Sequence, residues 1–186
     1  MSGDPPGLVI REGDPDFLAR LDEAVARLES SGRIVLCSGC FDLLHAGHLV
    51  FLDAASEVGD VVVVAMNSDS SVRALKGPGR PIEPEDHRAG ALLALPMVDL
   101  VVVCEGRDAR TVLRALRPEV FVLGATSEAE YPEEAAEARQ LGADVIVVER
   151  RGEVSTTRIL EEQRGHGGAE RAESEGVGDV ERLHGR

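Results

Sequence analysis

The sequence predicts an α/β fold in which five parallel strands form one doubly wound sheet with helices on both faces. Three observations carry that prediction. Short runs of aliphatic and β-branched residues alternate with longer stretches whose apolar residues recur at helical spacing. The runs are apolar throughout, as strands buried on both faces are. At 186 residues the chain is the size of one domain with a full hydrophobic core.

Residues 1–32 form an N-terminal segment whose main feature is a helix in "DPDFLARLDEAVARLESS", packing beside the sheet. The core domain runs over 33–163 and opens with the strand "RIVLCSG". The stretch "HLVFLDAASEVG" follows as a helix stopped by Gly59, and "DVVVVAM" is the second strand. A polar turn "NSDSS", a short helix, the loop "KGPGRPIEPED" and the helix "HRAGALLALP" lead to the third strand, "VDLVVVCE". Helices "DARTVLRALR" and "PEEAAEARQLG" then alternate with strands "EVFVLG" and "ADVIVVE", and a last helix begins at "STTRILEEQ". Right-handed crossovers with a reversal after the third strand put the ligand site outside the carboxyl ends of the strands, where the first strand ends. Residues 164–186 are Gly-rich, charged and poor in large apolar side chains, the composition of a disordered tail.

Composition narrows the function. The net charge of -14 argues against electrostatic capture of nucleic acid, because counterion release needs a basic face. An anionic ligand must therefore be held by a local cluster of donors. Aromatics make up 3% with no tryptophan, too few for extended stacking platforms. No apolar run approaches the roughly 18 residues that span a bilayer, and the N-terminus shows no signal peptide. Three cysteines, an odd number, fit a reducing compartment. The expectation is a soluble cytoplasmic protein without a membrane partner.

The chemistry concentrates in "CSGCFDLLHAGH", Cys37 to His48. Its paired cysteines and paired histidines invite a metal reading, but Cys37 continues an apolar strand, and no knuckle turn separates it from Cys40. A redox pair would place both cysteines at the helix start, and here Phe41 to Leu44 intervene. Cys37 and Cys104 read as small buried apolar residues. The remaining reading is a strand, a tight loop through Gly39, and a helix N-terminus at Ala46 and Gly47 whose free N–H groups favour a phosphate. His45 and His48 flank it with imidazole N–H donors.

These residues carry a family resemblance. "GCFDLLHAGH", Gly39 to His48, resembles the G-x-F-D-x-x-H-x-G-H motif of the cytidylyltransferase-like nucleotidyltransferases, and "VSTTRI", Val154 to Ile159, resembles their second signature. Within that superfamily "NSDSSVRALKGPGRPI", Asn67 to Ile82, is most similar to the heptose 1-phosphate adenylyltransferases of the ADP-heptose pathway. The resemblance implies a Rossmann-like HxGH fold. It also implies attack of a sugar or polyol phosphate on the α-phosphorus of a nucleoside triphosphate, with pyrophosphate leaving. ATP is the favoured donor and CTP, with glycerol 3-phosphate or another polyol phosphate, the runner-up; a non-catalytic nucleotide-binding regulator is the alternative of another class.

The resemblance implies catalytic roles for His45, His48 and Lys76, the only lysine among 20 basic residues. Nucleotide contacts fall to Gly39, Cys40, Phe41, Ala46, Gly47, Gly124, Arg150, Ser155, Thr156 and Thr157, and substrate contacts to Asp42, Asn67, Asp69, Arg80 and Arg88. Mg²⁺ is expected with the triphosphate, without a dedicated protein cage, and a homodimer is common for such enzymes. The loop "LGATSEAEY", Leu123 to Tyr131, lacks the Lys-Gly-Gly-Asp of the heptose enzymes and the Met-Gly-Asp-Asp-Trp of the glycerol phosphate enzymes.

Overall fold

Each apolar run becomes a strand that feeds two cores at once. In Ile34–Gly39 (β2), Ile34 and Leu36 enter one apolar cluster while Val35 and Cys37 enter another on the opposite face. The same alternation divides Val61, Val63 and Ala65 from Val62, Val64 and Met66 in Val61–Asn67 (β3). With both faces covered, polar side chains are confined to the carboxyl ends of these strands, Ser38 in β2 and Asn67 in β3.

The computed structural model describes residues 9–125 and 128–149. Arg150, Ser155, Thr156, Thr157 and the expected tail lie outside the described residues. The remaining strands are Val9–Arg11 (β1), Leu100–Cys104 (β4), Val120–Ala125 (β5) and Asp144–Glu149 (β6). The helices are Phe17–Glu29 (α1), Ala46–Ser56 (α2), Asp69–Lys76 (α3), Glu85–Leu93 (α4), Arg110–Leu116 (α5) and Pro132–Gln140 (α6). All strand pairs are parallel, in the order β1-β4-β3-β2-β5-β6. The chain winds outward from β2 through β3 to β4, then returns to place β5 on the other side of β2. The expected switch point therefore lies between β2 and β5.

The sheet has six strands where the sequence predicts five. The sixth, β1, is three residues long and pairs with the edge of β4 through Val9↔Val101 and Ile10↔Val102. So short a segment shows no periodicity, and only the open edge of β4 makes it a strand. Helix α1 buries Phe17, Leu21 and Ala24 in the cluster that also holds Leu113 and Leu116 of α5, while α2 and α4 cover the opposite face.

Local signals set the helix ends near the site. Ser68 caps α3 by accepting the Ser71 N–H at 3.2 Å, Asp69 opens the helix, and Arg73 and Lys76 close it, in line with the helix dipole. Gly77 and Gly79 follow at φ 90° and 83°, a conformation glycine adopts without strain, so the chain leaves Lys76 in a sharp turn.

Truncating Leu36, fully buried at the centre of the sheet, should cost about 2–5 kcal/mol of unfolding free energy. Leu18→Ala on the solvent side of α1, at 59% exposure, should change it by no more than about 0.5 kcal/mol. Denaturant unfolding of the two variants checks the difference.

Candidate active site

The turn between β2 and α2 is built on an inward-facing phenyl ring. Phe41 adopts φ 45°, rare for a bulky residue, and buries its ring under Gly39, where an added Cβ would lie 3.0 Å from the ring. The ring packs against His48 with centroids 5.1 Å apart and against Phe51 at 6.5 Å. This packing holds the start of α2 against the sheet end. His45 occupies the N-cap position of α2, yet its side chain makes no capping bond. Instead it stacks on His48, centroids 3.9 Å apart and planes 23° from parallel.

The Nδ1 atoms of both histidines are buried without a hydrogen-bond partner among the described residues. An unpaired buried polar atom costs roughly 1–3 kcal/mol, which marks the pair as kept for something other than stability. Burial, then His45 and then Lys76, push His48 down to about 4, with a contact to the Leu43 backbone pulling weakly the other way. Burial and Lys76 lower His45 as well. Two stacked rings beside an ammonium resist a second charge, so near neutral pH both are neutral imidazoles.

Lys76, at the end of α3, is felt by four groups of the β2–α2 turn: Cys40, Asp42, His45 and His48. The same lysine lines a cavity of about 480 Å³ over the carboxyl ends of the strands, together with Gly39, Cys40 and Asn67. The cavity is also lined by Arg107 and Asp108 after β4 and by Tyr131 and Glu134 at the start of α6. The sequence reading missed Arg107, Asp108 and Glu134, while Tyr131 closes the Leu123–Tyr131 loop that it set apart from both family patterns. Their position just beyond the ends of β4 and β5, where a doubly wound sheet binds ligands, was the available signal.

The residues expected to contact substrate divide into two groups. Asn67 lines the cavity, its amide donating to Ser71 Oγ at 2.9 Å and lying 3.5 Å from Cys40 Sγ. Asp42, Arg80 and Arg88 are instead committed to the protein. The Asp42 carboxylate is 1% exposed and accepts from Arg80 Nη1 at 2.5 Å and the Ile82 N–H at 2.6 Å, clamping the 77–82 loop to the β2–α2 turn. Burial alone would raise its pKa, but those two bonds and the nearby Arg80 and Lys76 charges bring it below the usual value. Arg88, 2% exposed, donates to the carbonyls of Cys40, Asn67 and Glu83 and to Asp69 Oδ1 at 2.7–3.0 Å. These are positioning contacts. Gly124, at the end of β5, sits against Phe51, where an added Cβ would approach within 3.3 Å of the ring.

The fold and this turn define the class. A cytidylyltransferase-like family model matches residues 36–162, and the chain belongs to that family. Among its relatives, bifunctional protein HldE of Alcanivorax borkumensis is 38% identical over 151 residues, covering 81% of this chain and 31% of that protein. Bifunctional protein HldE of Photobacterium profundum is 39% identical over 146 residues, with 78% and 31% covered. The chain thus spans about a third of the length of the curated relatives it matches. A solved structure, the lipopolysaccharide core biosynthesis protein from Thermoplasma volcanium, aligns with a TM-score of 0.55 at 26% identity, covering 66% of this chain and 99% of that one.

Because the unfolded chain takes up a proton at His48 near pH 6.5 and the folded chain only near 4, stability rises with pH between those values and is lost as pH falls through them. NMR titration should show a His48 ring still neutral at pH 6, and His48→Gln should flatten the pH dependence of unfolding in that window. An unshifted titration near 6.5 contradicts the buried stack.

Proposed function

We propose that this chain is a nucleotidyltransferase of the heptose 1-phosphate adenylyltransferase type, joining a nucleoside monophosphate to a sugar phosphate and releasing pyrophosphate. The observation that carries the reading is the place of Lys76. It lines the cavity and its charge also acts on the stacked histidines at the start of α2, so one cation serves both a triphosphate at the histidines and an acceptor in the cavity. Support for heptose and ATP comes from the Asn67–Ile82 likeness to the heptose enzymes. The matches to bifunctional protein HldE and to a lipopolysaccharide core biosynthesis protein agree with it.

The reaction asks the protein for alignment and charge stabilisation. A phosphate oxygen of the acceptor attacks the α-phosphorus, the bond to the bridging oxygen breaks, and pyrophosphate leaves with that oxygen. The acceptor is already ionised, so no strong general base is needed. The neutral imidazoles of His45 and His48 donate to phosphoryl oxygens as charge develops, and Lys76 balances the leaving pyrophosphate. Free N–H groups of Ala46 and Gly47 at the uncapped start of α2 add to the anion site, with backbone contacts from Gly39, Cys40 and Phe41. Asp42 through Arg80, and Arg88 through Asp69, hold the loops that carry these groups.

Among the described residues no group of three or more His, Cys, Asp or Glu side chains is arranged to cage a metal ion. Mg²⁺ that arrives with the triphosphate would be held by phosphate oxygens, where it screens their charge. No helix among the described residues is long and apolar enough to cross a membrane, and a cytoplasmic setting supplies nucleoside triphosphates. A homodimer is part of the same reading.

Coupled pyrophosphate release, with ATP and CTP run against heptose 1-phosphate and glycerol 3-phosphate, tests it. Turnover is expected with ATP and the heptose phosphate. Turnover confined to CTP and the polyol phosphate would move the chain to the runner-up, and nucleotide binding without any turnover would make it a regulator. His48→Ala should lower kcat about 10²–10³-fold while the Kd for ATP changes little, because the contact strengthens in the transition state. Lys76→Ala should show a smaller loss of the same kind. Weakened ATP binding at unchanged kcat would assign both residues to ground-state binding alone.

A further inference from the structure

We infer that Glu134 reads a hydroxyl group of the acceptor sugar and so determines acceptor specificity; the inference rests on the nucleotidyltransferase reading above. The cavity, about 480 Å³, is of the size that holds a phosphorylated sugar. Glu134 lines it from the first turn of α6 and is 6% exposed. Its Oε1 accepts both of its hydrogen bonds, from the Ala109 N–H at 2.9 Å and from the Ser38 hydroxyl at 3.3 Å. Oε2 has no partner among the described residues and is not sealed from solvent. The carboxylate is thus locked through one oxygen and presents the other to the cavity.

The chemistry of that oxygen selects its partner. Burial, with Asp108 adding, raises the Glu134 pKa, which marks a desolvated acid that gains from a neutral donor and repels a phosphate. A sugar hydroxyl supplies such a donor. Of the groups that line the cavity, Lys76 and Arg107 suit the acceptor phosphate and Glu134 suits a hydroxyl. A phosphate held by Lys76 lies near the histidine pair, on which the same charge acts. Glu134 places acceptor recognition at the start of α6, just after the loop that departs from both family patterns.

A structural cap on the chain entering α5 is the competing role, and Glu134→Gln separates the two. Glutamine keeps an oxygen for Ala109 and Ser38 and turns the cavity-facing atom into a neutral N–H₂ donor. Steady-state pyrophosphate release with D-glycero-β-D-manno-heptose 1-phosphate should show the acceptor KM of Glu134→Gln raised about 10-fold, with the ATP KM unchanged. Across the monodeoxy analogues of that acceptor, the penalty should disappear for the one lacking the hydroxyl that Glu134 reads. An unchanged acceptor KM, or the same penalty for every analogue, overturns the inference and leaves the enzyme reading standing. Absence of pyrophosphate release by the unaltered protein defeats the enzyme reading instead. Calorimetry with the heptose phosphate then decides the residue, and equal or absent binding by the two proteins overturns its role too.

Discussion

A guanidinium can be buried only if its donors are met, and Arg88 meets that condition with four acceptors on three separate pieces of the chain. It fills the carbonyls of Cys40 and Asn67 where β2 and β3 run out, the carbonyl of Glu83 before α4, and the carboxylate of Asp69 at the start of α3. The Cys40 carbonyl lies beyond the β2 ladder and the Asn67 carbonyl at the last pair of β3, where a missing partner would be costly. One side chain thus sets how the two central strands hand the chain to the loops of the site. Asp42, with Arg80 and the Ile82 N–H, adds a second clamp on the same loops.

On that scaffold the histidines keep an arrangement that costs stability. Their stacked rings retain unpartnered Nδ1 atoms because Phe41 and Phe51 pack beneath the turn and the clamps hold its edges. A free surface loop would relax to pair those atoms or expose them to water. Charge follows a related logic. The chain is strongly acidic overall, yet Lys76 lines the cavity at the carboxyl ends of the strands. Distant repulsion is screened beyond roughly 8 Å at physiological salt, so local cations decide what binds. The lining of the same cavity mixes both signs, with Lys76 and Arg107 beside Asp108 and Glu134.

The main strands and helices were legible because their signal is local. Five apolar runs are five strands, "AGH" opens a helix, and Ser68 caps one, all from residues within a turn or two of each other. The β2–β5 switch point followed from the order of those elements and the handedness of their crossovers. β1 was not legible, because three residues become a strand only against the edge of β4. In the site, the histidine pair at the start of α2 was legible from its place after a strand, and Lys76 from its being the only lysine and from the family likeness of Asn67–Ile82. The roles of Asp42, Arg80 and Arg88 were not.

By itself, then, the sequence determined the five main strands and the helices between them, which end of the sheet carries the chemistry, and the family likeness of the HxGH turn. Tertiary structure decided what each polar side chain is used for. Asp42 meets Arg80 across 38 residues of sequence, Arg88 meets Cys40 across 48, and Glu134 meets Ser38 across 96. The reason is physical: hydrophobic periodicity is written over a few residues and survives in one dimension. Whether a carboxylate or guanidinium faces a ligand or another chain segment depends on strand order, register and loop closure, which bring distant residues together.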